Sequence, residues 1–173
     1  LDLARMDAVQ KSIPMCSFDL SRAAASCALS FESLAYESKK TYRIDIPEGI
    51  FFHGEEFSIR RLVTILLDNA FKYADEKGTV SISLSQKGEK RILAVTNTGK
   101  GISSEEQKHI FERFYRSDTS RSRPSAGNGK SHDNGQPGGY GLGLSIAASI
   151  VSAHRGRISV KSDENCTCIL VVL

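Results

Sequence analysis

Apolar residues recur along this chain at two spacings, three to four residues in some segments and two residues in others. The first spacing is clearest over residues 55–74, where it predicts a helix with one buried face. The apolar positions of that face are Ile59, Leu62, Val63, Leu66, Leu67 and Ala70. Lys72 and Tyr73 follow Asn69 by three and four residues, so these three side chains share one side of the helix beside the buried face. Side chains of these three types suit the binding of a metal ion, a phosphate and a base. They are equally typical of the solvent-exposed side of a helix.

Three more helices are predicted by the same spacing, over about residues 21–37, 103–115 and 141–155. Ser103 and Glu106 form a capping box at the start of the second of these helices. Gly156 ends the third, because glycine readily adopts the left-handed conformation found just after helices. A short helical segment also opens the chain and breaks before Pro14.

Alternation with a period of two predicts strands between the helices. The predicted strands lie over 18–20, around Tyr42, Ile44 and Ile46, around Val80, Ile82 and Leu84, over 92–95, around Ile158 and Val160, and over 168–173. Pro47 and Gly49 end the second of these strands, and residues 163–165 turn the last two into a hairpin.

Length and composition bound the class of protein. A chain of 173 residues suits one domain with a substantial core. The net charge of +3 is too small to argue for nucleic acid or a membrane surface as a partner. No apolar run approaches the ~20 residues of a membrane-spanning helix, and no signal peptide opens the chain. Because Leu1 stands where an initiating Met would, we expect a fragment of a longer protein.

The four cysteines lack the spacing of a metal site. Cys166 and Cys168 are two residues apart in a predicted strand, so both thiols lie on one face and form a weak candidate for metal or redox chemistry. The favoured interpretation is that the cysteines are buried free thiols in a reducing cytoplasm; they are Cys16, Cys27, Cys166 and Cys168.

Residues 116–137 interrupt the pattern of helices and strands. Apart from two prolines, Ala126 is their only apolar side chain, so little burial offsets the entropy cost of ordering them. The segment carries +2 of the chain's net charge, from Arg116, Arg121, Arg123 and Lys130 against Asp118 and Asp133. A linker between domains is one interpretation, but residues 138–173 are too few for a second core. We therefore predict a mobile lid within one domain.

Two glycine-rich turns flank that segment. "VTNTGKGI" (95–102) follows a predicted strand, and "GGYGLGL" (138–144) opens a predicted helix. Glycines at a helix N-terminus let backbone N–H groups approach a phosphate, which the helix dipole also attracts. Neither turn matches a P-loop or a dinucleotide-binding fingerprint. The informative feature is the order: amide-bearing helix, glycine turn, aromatic helix, basic loop and second glycine turn.

This series resembles the ATP-binding catalytic domain of bacterial sensor histidine kinases, in the superfamily shared with gyrase, heat-shock chaperone and mismatch-repair ATPases. "LLDNAFKY" (66–73) resembles the N box, "NTGKGI" (97–102) the first glycine box, "FERFYR" (111–116) the F box and "GGYGLGLSI" (138–146) the second glycine box. The resemblance implies an α/β two-layer sandwich of the Bergerat type, with a mixed sheet of about five strands under three principal helices. "LARMD" (3–7) resembles the end of a preceding dimerisation helix. Residues 1–13 would then be that tail and a linker, and residues 14–173 the catalytic domain with its lid over about 116–137.

The resemblance also implies roles for single residues. Asn69 would place its side-chain oxygen on Mg²⁺, Lys72 would lie near the phosphates, and Tyr73 would stack on adenine. Phe111 and Phe114 would anchor the near end of the lid, and Arg121 or Arg123 would reach the γ-phosphate. The remaining residues implied to bind ATP lie in the two glycine boxes: Asn97, Gly99, Gly101 and Ile102 in the first, and Gly139, Tyr140, Gly141, Leu142 and Gly143 in the second.

The sequence departs from the family pattern at three places. Asn97 stands where the first glycine box usually has an Asp that accepts a hydrogen bond from the adenine amino group. Ile65 stands one turn before Asn69, where many members have a second polar residue. The lid is longer than usual by the stretch "SAGNGKSHDNGQP" (125–137). The first two departures keep open an alternative function, a pseudokinase that serves as a docking module without turning over nucleotide.

Histidine kinases phosphorylate a histidine in a motif resembling His-Glu-x-x-x-Pro on a separate helical domain. None of the four histidines of this chain begins such a motif; they are His53, His109, His132 and His154. The resemblance thus implies a catalytic module that binds ATP and Mg²⁺ but contains no catalytic residue of its own and does not autophosphorylate alone. It implies a dimerisation domain carrying the acceptor histidine, a homodimeric parent protein and, indirectly, a response regulator as partners, with no nucleic acid. We expect this fragment to be cytoplasmic and the parent to be anchored in the membrane.

Overall fold

The computed structural model describes residues 14–115 and 142–173, so the predicted tail over 1–13 and the predicted lid over 116–137 lie outside the described residues. The strands of the described residues are β1 (Cys16–Asp19), β2 (Thr41–Asp45), β3 (Phe51–Gly54), β4 (Thr79–Lys87), β5 (Lys90–Thr98), β6 (Arg157–Ser162) and β7 (Cys166–Val172). The helices are α1 (Leu20–Leu29), α2 (Glu32–Glu37), α3 (Glu56–Tyr73), α4 (Ser104–His109) and α5 (Gly143–Ala153). None of these helices combines the length and the apolarity that crossing a membrane requires.

Five of the strands form one mixed sheet in the order β2-β4-β5-β7-β6. β2 runs parallel to β4, and every other neighbouring pair in this sheet is antiparallel. β1 and β3 form a separate antiparallel pair. The predicted α/β fold with a mixed sheet of five strands packed against helices is therefore confirmed.

The core lies between one face of the sheet and the helices. Along β4, Val80, Ile82 and Leu84 are buried while the residues between them are half-buried, as expected for a strand with one covered face. All six apolar positions predicted for the face of α3 are buried, and Leu66 and Leu67 are fully so. The 3.6-residue period of α3 thus matches the covered face of the sheet.

The predicted helix over 21–37 is wrong in its continuity, because two helices occupy that range. α1 ends at Leu29, where the Ser30 hydroxyl turns back and donates to the carbonyl oxygen of Cys27 at 2.7 Å. Phe31, which is buried, then stacks its ring on that of Phe71 with the ring centroids 5.5 Å apart. The aromatic contact with α3 redirects the chain before α2 begins.

Two other boundaries differ from the prediction. The first strand covers 16–19 rather than 18–20, and its partner β3 was not predicted, since four residues are too few for a clear alternation. The helix predicted over 103–115 ends at His109, although its capping box is present in the structure. Residues 110–115 continue as turns rather than as helix.

The expectation of buried thiols is only partly correct. Cys16 is exposed, whereas Cys27, Cys166 and Cys168 are half-buried, and all four are free thiols. Among residues 14–115 and 142–173, no group of three or more His, Cys, Asp or Glu side chains is arranged to hold a metal ion.

Candidate functional site

The end of α3 carries three polar residues, Asn69, Lys72 and Tyr73. Asn69 is half-buried, and its carboxamide makes no hydrogen bond within the described residues. Tyr73 is 47% exposed, and the Lys72 ammonium nitrogen lies 5.3 Å from the centroid of its ring. Lys72 therefore covers one side of the Tyr73 ring, and the described residues leave Tyr73 half exposed, as a site for stacking a flat ligand requires.

Lys40 fixes the end of α3 from another part of the chain. Its ammonium group donates to the carbonyl oxygens of Phe71 at 3.1 Å and Ala74 at 2.7 Å. A cation at the C-terminus of a helix satisfies carbonyls that have no partner within the helix and is favoured by the helix dipole. Sequence reasoning missed this residue, because nothing local relates Lys40 to a helix end more than thirty residues later.

Thr98, the last residue of β5, joins that strand to the end of α3. Its carbonyl oxygen accepts a hydrogen bond from the Asp75 amide at 3.1 Å, and its hydroxyl oxygen accepts one from the Thr79 amide at 2.8 Å. These two bonds place the first glycine turn directly beside the helix end. The sequence named Thr98 only as a possible acceptor for the Asn97 amide, and its bonds to Asp75 and Thr79 were not predicted because they act within the protein rather than on a ligand.

Gly99 makes this close approach possible. Its φ of 153° lies in a region that other residues seldom adopt. A Cβ atom at this position would stand 2.6 Å from the carbonyl oxygen of Tyr73. Because that oxygen belongs to the backbone, it could not move aside for a side chain. Gly99 thus brings the first glycine turn against the residue predicted to stack on a base.

Asn97 is 6% exposed and lies beside Gly99. Its Nδ2 donates to the carbonyl oxygen of Thr98 at 3.3 Å. Within the described residues, its Oδ1 accepts no hydrogen bond. The carboxamide therefore has its donor paired inside the protein and its acceptor available to a ligand.

Gly101 and Ile102 attach the same turn to the hairpin of β6 and β7. A Cβ at Gly101 would collide with the Asp163 carbonyl oxygen, so glycine is required there by packing within the protein. The Ile102 amide donates to the Ser162 hydroxyl at 2.9 Å, and the Gln107 side chain donates to the carbonyl oxygens of both residues, at 2.7 Å to Ile102 and 3.2 Å to Ser162. The turn that carries Asn97 is thus held from both sides.

α5 runs antiparallel to α3 and brings its N-terminus toward the site. A Cβ at Gly143, the first residue of α5, would stand 3.5 Å from Cγ2 of Ile65, one turn before Asn69. At the far end of both helices, the Glu55 amide donates to Nε2 of His154 at 3.0 Å, and Nδ1 of His154 bonds to the Ile150 carbonyl at 2.8 Å. His154 thus joins the start of α3 to the end of α5. The positive end of the α5 dipole accordingly faces the side of α3 that carries Asn69.

The carboxylate of Glu55 caps α3. Its two oxygens accept hydrogen bonds from the amides of Phe57 at 2.9 Å and Ser58 at 2.7 Å. Burial raises the pKa of this carboxyl, but the hydrogen bonds from Ser58 and Phe57 together outweigh burial, so its pKa lies below the ordinary value of 4.5. Glu is not among the usual capping residues, which is why the sequence did not indicate this role.

Two aromatic residues that were predicted to anchor the lid follow α4. Phe114 is 71% exposed with a φ of 65°, so it is not part of the core of the described residues, and its role as an anchor concerns a lid that lies outside them. Phe111 is half-buried and lines a groove of about 430 Å³ against α5. His109 bonds to the Glu112 carboxylate at 2.8 Å, and this contact, with a smaller contribution from Glu105, raises the pKa of its imidazole.

Several residues predicted to bind ATP are therefore neighbours in the structure. Asn97, Gly99 and Tyr73 meet where β5 reaches the end of α3, and Gly143 lies across from them beside Ile65. The other predicted positions of the second glycine box and lid lie outside the described residues: Arg121, Arg123, Gly139, Tyr140 and Gly141. Leu142 is described and half-buried, and its carbonyl oxygen accepts a hydrogen bond from the Ser145 hydroxyl at 2.9 Å.

Comparison with known proteins identifies the family of the chain. Residues 54–173 match the family described as histidine kinase-, DNA gyrase B-, and HSP90-like ATPase. The sensor protein DltS of Streptococcus agalactiae is 33% identical over 165 residues, which are 95% of this chain and 38% of that protein. This chain therefore spans well under half the length of that relative.

Solved structures show the same fold. The catalytic domain of histidine kinase ThkA superposes with a TM-score of 0.74 at 20% identity, over 92% of this chain and 94% of that one. The crystal structure of histidine kinase ThkA in complex with response regulator protein TrrA gives a TM-score of 0.72 at 19% identity, over 99% of this chain and 48% of that one.

The chain belongs to the histidine kinase-, DNA gyrase B-, and HSP90-like ATPase family. Within that family, its relatives identify it as an ATP-binding catalytic domain of the sensor histidine kinase type. Neither the relatives nor the fold supports the pseudokinase alternative.

Proposed function

We propose that this domain binds ATP together with Mg²⁺ and delivers the γ-phosphoryl group to a histidine on a separate dimerisation domain of its parent protein. The observation that carries the proposal is the meeting of Asn97, Gly99 and Tyr73 beside the end of α3, opposite the N-terminus of α5. One end of this arrangement suits a base, and the other suits phosphates.

The base would lie against Asn97 and Tyr73. Because Nδ2 of Asn97 is held by the Thr98 carbonyl, Oδ1 is the atom that would accept a hydrogen bond from the adenine amino group. Tyr73 would stack on the base with the side of its ring that Lys72 does not cover. Asn97 can therefore perform the hydrogen bonding expected of the usual Asp without placing an unpaired charge in a buried position.

The phosphates would lie between Asn69 and the first turn of α5. The free carboxamide of Asn69 fits one oxygen position on Mg²⁺, an ion that commonly takes one or two protein ligands and completes its shell with phosphates and water. Mg²⁺ would supply charge neutralisation at the phosphate oxygens. Lys72 and the amides at the start of α5 would add to it, with Gly139, Tyr140, Gly141, Leu142 and Gly143 predicted as the cradle.

In the transfer step, a nitrogen of the acceptor imidazole would form a bond to the γ-phosphorus while the bond to the β,γ-bridging oxygen breaks and ADP leaves. The domain's contribution would be positioning and electrostatic stabilisation. We further propose that the parent is a homodimer, anchored in the membrane, whose phosphohistidine serves a response regulator. The complex of ThkA with TrrA supports the last point by analogy.

Transfer of a labelled phosphoryl group tests the proposal. The chain would be incubated with γ-labelled ATP and Mg²⁺, alone and with the separately produced dimerisation domain of its parent. We expect acid-labile label on the added domain and none on this chain. Asn69→Ala should abolish the transfer, whereas Thr64→Ala, an exposed change on the same helix, should leave it intact. Label on any of the four histidines of this chain would overturn the proposal that the acceptor lies elsewhere.

A further inference from the structure

The five-stranded sheet has a second face that the described residues leave accessible. The strand register places the odd-numbered residues of β2, β4 and β6 on the same side of the sheet as the even-numbered residues of β5 and β7. We call the side chains of these residues the open face. Every one of them is half-buried or exposed, whereas along β4 and β7 the positions between them on the other face are mostly buried. The open face is therefore available to a partner from outside the described residues.

The open face carries a strong excess of positive charge. Asp45 is its one carboxylate, against five cations, which are Arg43, Lys87, Lys90, Arg157 and Lys161. Its net charge is thus +4, while the whole chain carries +3. Within residues 14–115 and 142–173, none of the five cations forms an ion pair.

The cations contribute little to the fold itself. Lys87 stands directly opposite Lys90 in the β4–β5 register, and like charges in that position destabilise a hairpin. Arg157 and Lys161 stand on β6, an edge strand of the sheet. Positive charge at strand edges discourages edge-to-edge pairing, but Lys90 and Lys87 lie on inner strands, where that explanation does not apply.

The centre of the open face is apolar. Two cross-strand pairs of β5 and β7 form it, Ile92 with Val172 and Ala94 with Leu170. On β6, Arg157 stands beside Val172 and Lys161 beside Cys168, so the cations border the apolar pairs. An apolar centre within a charged border is the usual anatomy of a protein–protein interface.

We propose that the open face binds a protein partner whose surface places carboxylates around an apolar centre. With strands about 4.8 Å apart, five strands span about 19 Å, which suits a small and transient contact. The open face has no aromatic side chain on which nucleic-acid bases could stack, and its larger apolar side chains, Ile92, Leu170 and Val172, are half-buried rather than exposed for insertion into a membrane. The proposal concerns a surface distinct from the site around Asn97 and does not depend on nucleotide binding.

A soluble peptide of Glu-Glu-Leu repeats is a suitable probe, with the same peptide carrying Lys in place of Glu as its comparator. Binding to the isotope-labelled domain would be followed by amide chemical shifts with and without added salt. We expect the acidic peptide to shift amides of β2 and β4–β7, to bind more weakly as salt rises, and to leave the amides of Asn69 and Tyr73 on α3 unaffected. The basic comparator should not bind.

Matched charge variants locate the contact. Arg43→Gln/Arg157→Gln/Lys161→Gln should weaken binding of the acidic peptide by about tenfold, since each exposed charge contact contributes a factor of about two. Arg22→Gln/Lys39→Gln/Arg61→Gln removes three exposed, unpaired cations from outside the sheet and should change nothing. Equal loss in both variants, shifts confined to other surfaces, or tighter binding of phosphatidylserine vesicles or of single-stranded oligo-thymidylate would each overturn the proposal. So would self-association through this face.

Discussion

At the scale of single residues, Asn97 decides how the domain would recognise a base. Compared with Asp, its carboxamide loses charge assistance, which roughly doubles the strength of a hydrogen bond. It gains an NH₂ group, whose nitrogen donates to the Thr98 carbonyl at 3.3 Å, so this nitrogen is not left without a partner.

We therefore predict that Asn97→Asp changes ATP affinity by no more than about tenfold, or ~1.4 kcal/mol. Asn97→Ala removes the acceptor and should lose more affinity, and it should also reduce the preference for ATP over GTP. Competition binding with both nucleotides on the three variants measures this. If Asn97→Ala binds ATP as well as the wild type does, Asn97 does not contact the base.

Because of Glu55, the free energy of unfolding of the domain depends on pH. Because its pKa in the folded state lies below 4.5, the folded state binds a proton less readily than the unfolded chain does. The stabilisation from this cap is therefore fully present above pH 4.5 and is lost as the pH falls below that value.

Glu55→Gln should accordingly lower the free energy of unfolding by about 1 kcal/mol at neutral pH, the usual worth of a helix cap. The difference from the wild type should shrink in acid. Urea unfolding at several pH values measures both effects. Glu56→Gln removes only a surface pair with Arg60 and should have a much smaller effect. A difference that is independent of pH would contradict the role of the charged cap.

At the scale of elements, the conformation and packing of the first glycine turn depend on Gly99. Alanine there would meet both an unfavourable φ and the Tyr73 carbonyl, whereas at Gly88, with a φ of 59°, a Cβ would meet no atom within 4 Å. At Gly143 the nearest atom would be at an ordinary contact distance of 3.5 Å.

The three alanine variants should therefore form a series. Gly143→Ala should be close to neutral, Gly88→Ala should cost about 1 kcal/mol, and Gly99→Ala should cost about 2–4 kcal/mol. Chemical denaturation gives the order directly. Equal costs at Gly88 and Gly99 would mean that the turn does not pack on the end of α3.

The spacing of apolar residues predicted α3 and its buried face well, because the helical period can be read from eighteen consecutive residues. The capping box of Ser103 and Glu106 was predictable for the same reason. The contact of His154 with Glu55 joins residues 99 apart, and the cap made by Lys40 joins residues 31 apart. Neither contact can be recognised from the residues near it in the sequence. The orientation of the Asn97 carboxamide likewise depends on the folded turn.

At the scale of the whole molecule, α3 and α5 form an antiparallel pair that is fixed at one end by Glu55 and His154 and carries Asn69 and Gly143 toward the other. The fold thus places the polar end of one helix and the N-terminus of the other on the same side of the sheet as the Asn97 turn. A substrate bound there would lie between three elements of the domain, which are α3, α5 and the Asn97 turn.

Calorimetric titration with ATP, with and without Mg²⁺, measures whether the site between α3 and α5 binds the nucleotide through the metal ion. The wild-type domain should bind ATP with modest affinity and more tightly when Mg²⁺ is present, because Asn69 offers the ion an oxygen ligand. Asn69→Ala should bind ATP equally with and without Mg²⁺, while Thr64→Ala should behave as the wild type. A wild-type domain that takes up no ATP at millimolar concentration would contradict the account.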